Sequence, residues 1–140
     1  MGTSDNLTGT WTGIYDYDNV AFGAPVSFDA TLIETAGLLQ GDIMEPNTFR
    51  SQSLDSLLAV ISGMRTGSSV HFVKTYTNFD APENPVYDGT VNATATRITG
   101  RWHFPSQPNI KGTFLLARTQ QAAARKTTTN KAEATLERVR

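Results

Sequence analysis

Between Leu7 and Arg118 the sequence alternates apolar and polar residues in short runs, and each run breaks at or near Gly, Pro, Asn, Asp or Thr. A period of two is the pattern of strands with one buried face, and the β-branched and aromatic content of the runs supports that assignment. Eight runs can be drawn: Leu7–Tyr17, Val26–Thr35, Leu38–Glu45, Leu57–Arg65, Val70–Thr77, Val86–Thr94, Ile98–Phe104 and Gly112–Arg118. No internal repeat of about 20 to 50 residues is visible, which argues against a propeller or solenoid.

The connections between runs are of two kinds. Ala36-Gly37, Thr66-Gly67-Ser68-Ser69 and Ala95-Thr96-Arg97 are short enough for hairpins. The others are longer, and all six prolines fall in or beside them: Pro25, Pro46, Pro82, Pro85, Pro105 and Pro108. Proline lacks the donor that a central strand requires, so this placement supports the boundaries. In an up-and-down meander the connections alternate between the two ends of the sheet. Tight turns are therefore expected at one end and long, proline-marked loops at the other. Eight antiparallel strands expose two edges unless the first pairs with the last, and closure gives a barrel with room for one small ligand.

A length of 140 residues and a hydrophobic content of 39% suit one core. We expect an all-β, eight-stranded antiparallel up-and-down barrel over residues 1–119. Residues 120–140 form a basic tail, where Asn130 followed by Glu133 could cap a short helix with Ala132, Leu136 and Val139 on one face; the alternative is disorder. The body carries seven Lys or Arg against eleven Asp or Glu, and the tail five against two. An acidic body disfavours nucleic acid, whose binding needs a basic stripe. Cysteine is absent, which removes disulfides, thiolate nucleophiles and cysteine metal sites. Neither a signal peptide nor a long apolar segment is visible, so a soluble protein without membrane contact, cytoplasmic by default, is expected.

Fixing one inward residue fixes the facing of its whole strand. With Trp11 inward, Leu7, Tyr15 and Tyr17 follow. Val26, Phe28, Ala30 and Leu32 form the second set; Ile98, Trp102 and Phe104 the seventh; Phe114, Leu116 and Arg118 the eighth. Antiparallel closure brings Trp11 and Arg118 together at the tight-turn end. A guanidinium over an indole is worth about 0.5 to 2 kcal/mol, and the pair would plug the floor.

Leu7-Thr8-Gly9-Thr10-Trp11 with Leu116-Ala117-Arg118 resembles the calycin superfamily: lipocalins, fatty-acid-binding proteins and the avidin group, whose Leu-Thr-Gly-x-Trp opening is the most similar. The resemblance covers two short segments and implies an apolar cavity entered from the long-loop end. It does not extend to biotin. Avidins place an Asn soon after the Trp, where this chain has Thr12-Gly13-Ile14, and most of their cavity tryptophans are missing. Gly-x-Trp-x-Gly also resembles a haem-binding barrel family that needs an inward His, but His71 and His103 both take the outward parity.

The mouth is expected to receive the ligand-binding residues Tyr15, Tyr17, Phe28, Ile43, Tyr76, Trp102, Phe104 and Phe114, with Val26 beside them. Rigid rings with a few hydroxyls suit a small, largely apolar ligand, although the same rings could fill a solid core. Asp16, Asp18, Glu45, Asp80 and Glu83 are placed around this end, with Arg50 and Lys111 as nearby cations. A negative rim favours a neutral or cationic ligand.

No catalytic residue, metal ligand or cofactor is assigned. The histidines form neither a triad nor a zinc site, and Asp16-Tyr17-Asp18-Asn19 lacks the spacing of an EF-hand loop. Glu34 and Lys74 share the inward parity and read first as a floor ion pair or strand-end charges, second as an acid-base couple. Leu57-Leu58-Ala59-Val60-Ile61 is apolar on both faces, with Ile33, Val73 and Leu115 outward on other runs, so a homo-oligomer through this wall is expected unless the tail covers it. Non-enzymatic binding in a barrel cavity is thus the leading reading. A filled structural or interaction module is the second, and a cofactor-free isomerase or hydrolase acting through Glu34 the third.

Overall fold

The computed structural model describes residues 6–47, 55–81 and 83–119. Eight strands form one closed antiparallel barrel in simple sequential order: β1 (Gly9–Tyr15), β2 (Val26–Thr35), β3 (Leu38–Pro46), β4 (Ser56–Thr66), β5 (Ser69–Tyr76), β6 (Val86–Val91), β7 (Arg97–Phe104) and β8 (Gln107–Arg118). Closure is made by β1 and β8 in a register that runs from Trp11 opposite Arg118 to Tyr15 opposite Phe114. Both edges of the meander are thereby consumed, which satisfies backbone groups that would otherwise template aggregation. The proposed tail helix lies outside the described residues.

Alternation along the strands is clear. On β2, Val26, Phe28, Ala30 and Leu32 are buried and the residues between them exposed; on β4, Leu57, Ala59 and Ile61 are buried and Leu58 and Val60 exposed. Full burial of each such side chain contributes about 1.5–3 kcal/mol. Inward glycines make space for rings. A Cβ on Gly13 would stand 2.3 Å from the tip of Phe28, and one on Gly89 would stand 2.8 Å from that of Phe114.

The tight-turn end is tighter than the sequence suggests at one place. β4 and β5 are joined by Gly67-Ser68 alone, with Gly67 at φ +62°. Ala36 and Gly37 both take positive φ, 51° and 84°, as a two-residue hairpin with the twist of its strands requires. At the other end two expectations are corrected. β7 and β8 meet through Pro105-Ser106 rather than a long loop, and Pro108 lies inside β8. The first seven residues of β8, 107–113, lie beyond its ladder with β1, which stops at Phe114, and Pro108 has no partner in the ladder with β7, so a missing donor there breaks no ladder bond. β1 also stops at Tyr15, and Tyr17 sits in the following loop, which contains a single 3₁₀ turn, Val20–Phe22, capped by Asn19.

Candidate functional site

The two ends of the barrel are built differently. At the tight-turn end the Arg118 guanidinium carbon lies 4.6 Å from the centre of the Trp11 ring. Its nitrogens donate to the carbonyls of Asn6, Thr8 and Ala95 at 2.8–3.1 Å, while the Trp11 indole donates to Leu7 at 3.0 Å. Residues 6–8 are thus drawn across the opening. Glu34 accepts from the Leu7 amide at 2.9 Å and from Arg65 at 3.0 Å. Among the described residues, no buried side-chain nitrogen or oxygen at this end lacks a hydrogen-bond partner, and apolar side chains fill the space behind.

Above the floor, rings pack the bore. Phe72 stacks on Tyr87 at 4.9 Å between centroids, and Phe114 stands edge-on to both at 6.0 and 5.1 Å. Of the expected ligand-binding residues, Phe28, Ile43 and Phe114 belong to this packed core and do not line the opening above it. The filled-core alternative therefore describes the lower part of the barrel.

At the mouth a cavity of about 360 Å³ remains, open to solvent. Tyr15, Tyr76, Trp102 and Phe104 line it, as expected from their parity, and Tyr17 lines it from the loop after β1. Phe22, Phe79, Ala81, Glu83, Pro85, Tyr87, Ile110 and Lys74 complete the wall. Phe22 arrives on the 3₁₀ turn and Phe79 on the β5–β6 loop, and strand parity has no purchase on either. Trp102 is fixed edge-on to Tyr15, Tyr17 and Phe104 at 5.1–5.9 Å, and its indole donates to the Asp16 carbonyl at 3.0 Å. That carbonyl can approach because residue 112 is glycine: a Cβ there would lie 1.7 Å from the Asp16 oxygen.

The base of the cavity is polar. Glu45, 1% exposed, accepts from Lys74 Nζ at 2.5 Å on one carboxylate oxygen and from the hydroxyls of Tyr15 and Tyr76, both at 2.9 Å, on the other. Lys74, also 1% exposed, has its ammonium 4.7 Å from the centres of the Tyr15 and Tyr76 rings and 5.9 Å from that of Phe28. Burial lowers the Lys74 pKa, and the adjoining carboxylate opposes that shift. Burial raises the pKa values of Tyr15, Tyr76 and Tyr87, with the charge of Glu45 acting in the same direction, so all three remain phenols at neutral pH.

Two charge assignments are corrected. Glu45 is not a rim residue: it shares the parity of Ile43 and points into the bore. Glu34 and Lys74 do not pair, because they face the same interior at opposite heights. Glu34 ends β2 at the floor, whereas Lys74 lies near the mouth end of β5. Facing is set by parity, but height is set by register, and the two must be combined. The rim itself is partly neutralised, since Asp18 pairs with Arg101. Arg50 lies outside the described residues. Glu83 accepts from the Ser106 amide at 2.6 Å through one oxygen, while its other oxygen is buried without a hydrogen-bond partner.

The histidines stay outside, where His71 bonds Asp88 at 2.6 Å. Among the described residues no cluster of three or more His, Cys, Asp or Glu could hold a metal ion, and no helix is long and apolar enough to cross a membrane. The mouth can therefore offer aromatic faces, ammonium N–H donors at its base and a carboxylate oxygen at its side. No protein-family model matches the chain, and comparison with curated proteins returns no match.

Proposed function

We propose that the protein is a calycin-like binding barrel that takes a small, largely apolar, neutral or cationic molecule through the long-loop end without transforming it. The observation that carries this reading is the asymmetry of the bore: a satisfied, filled floor below an open aromatic cavity whose polar groups are already ordered. A cavity of about 360 Å³ lies within the size range of small-molecule sites, and its mixture of rings with few polar groups is their usual composition. Glu83 supports the charge preference, because a buried carboxylate oxygen lacking a partner gains from an N–H or ammonium donor. Lys74 adds donors at the far end for a ligand carbonyl or ether oxygen.

Three naphthalene probes differing in one substituent test the reading: the methanol, the methylamine and the carboxylic acid. Calorimetric titration is expected to show saturable binding of the first two and weaker binding of the acid. Absence of saturable binding by any of them, or preference for the acid, would refute it.

A second reading rests on the outer wall of β2–β4. Ile33, Leu38, Met44, Leu58, Val60 and Met64 are exposed there, and we propose that this face pairs with a second copy of the chain. Light scattering at micromolar concentration should then give twice the monomer mass, and Val60→Lys should return it to the monomer value. A monomeric native protein would exclude this reading.

A further inference from the structure

We infer that Lys74 is a covalent capture site for aldehydes and activated ketones, holding them as a protonated imine at the base of the mouth cavity. The inference rests on the proposed binding role of that cavity and names the chemistry of its deepest contact.

Four observations carry it. Among the described residues lining the cavity, Lys74 supplies the amine, and it does so at the buried end, where an apolar ligand would place its head group. One of its three protons is engaged by Glu45 at 2.5 Å. Its remaining sides face the rings of Tyr15 and Tyr76, which accommodate a planar iminium cation as well as an ammonium. The tyrosine hydroxyls stand on the other oxygen of the same carboxylate, so acid, base and amine form one connected group. A structural ion pair would need only the carboxylate and the amine; it would not need to terminate an open cavity. Desolvation, which lowers the Lys74 pKa, makes the neutral amine more accessible than for a solvated lysine.

The step balances without a further reactant. A proton passes from Lys74 Nζ to Glu45, leaving an amine and a carboxylic acid. The nitrogen lone pair forms the C–N bond to the carbonyl carbon while the carbonyl π pair moves to oxygen. A proton transferred from nitrogen to that oxygen, through Tyr76, gives a neutral carbinolamine. Glu45 then returns its proton to the hydroxyl, the C–O bond breaks, and water leaves. The product is an iminium beside a carboxylate, so the charge pair present at the start is restored. Surrounding rings limit the access of water that would reverse the condensation.

The test uses the full chain with trans-cinnamaldehyde as the probe and cinnamyl alcohol as its non-condensing counterpart. Borohydride is added after equilibration and the modified lysine is located by peptide mapping. Preferential modification of Lys74 over the exposed Lys111 is expected, together with its loss in Lys74→Arg and at least about tenfold slower trapping in Glu45→Gln. Tyr76→Phe, which keeps the ring but removes the proton relay, should slow trapping at saturating aldehyde. If the alcohol binds in the cavity but Lys74 is modified no faster than Lys111, imine capture is overturned and the binding role stands. If neither compound engages the cavity, both fail. Because mapping is done on the native protein, the result does not depend on whether Lys74→Arg folds.

Discussion

The floor and the mouth of this barrel each bring an aromatic ring, a cation and a carboxylate inside, yet they use them in opposite ways. At the floor the cation lies over an indole and is surrounded by backbone carbonyls, and Glu34 is occupied by Arg65 and the Leu7 amide. Among the described residues, no buried side-chain polar atom there is left without a partner. At the mouth Lys74 uses one acceptor, Glu83 leaves an oxygen without a partner, and the rings stop short of filling the bore. Similar residue types close one end and equip the other. The difference lies in whether the local backbone supplies the missing partners.

The mouth is most easily disrupted at the Glu45–Lys74 pair. Glu45→Ala would leave a buried ammonium uncompensated and should destabilise the fold by about 3–5 kcal/mol in denaturant unfolding. Glu45→Leu combined with Lys74→Met should recover much of that loss. It leaves two buried tyrosine hydroxyls without their acceptor, so a deficit of about 1–3 kcal/mol should remain, and ligand binding should not return. A double variant that regains both stability and binding would make the pair a purely structural feature.

Trp11→Ala removes the central ring of the floor and should cost about 3–5 kcal/mol by thermal unfolding, with ligand affinity of the folded fraction unchanged within about twofold. Alkaline unfolding sharpens the contrast from the mouth side. The folded-state pKa values of Tyr15, Tyr76 and Tyr87 are raised, so their contribution is complete below pH 10 and is lost above it, as the unfolded chain releases protons that the folded chain retains. Three such groups give a slope of up to about 4 kcal/mol per pH unit in that range. Lys74, whose pKa is lowered, adds one smaller term of opposite sign below its unfolded value of 10.5. Phe79→Ala should have the smallest effect on stability, under about 1 kcal/mol, and a measurable loss of affinity.

Strand parity made most of the fold legible. Eight runs, their alternation and the meeting of Trp11 with Arg118 follow from a period of two plus closure, because each buried face must be apolar all the way round. Pro108 was misleading, since a proline is tolerated in a strand wherever the neighbouring ladder has already ended. The site was legible in part. Tyr15, Tyr76 and Trp102 are found by facing alone, whereas Phe22 and Phe79 come from loops, where facing has no meaning. Glu45 has the parity of Ile43, and a carboxylate at an inward position of a barrel needs a buried cation. Lys74 is inward and near the mouth end of β5, so its carboxylate partner is Glu45 and not Glu34 at the floor.

The two tryptophans of the chain sit one at each end. Their indole N–H resonances therefore report on the account directly during a titration with naphthalene methylamine. Saturable movement of the Trp102 resonance with Trp11 unmoved is the predicted result. Movement of Trp11 in place of Trp102, or of neither at saturating probe, would contradict a sealed floor and a binding mouth.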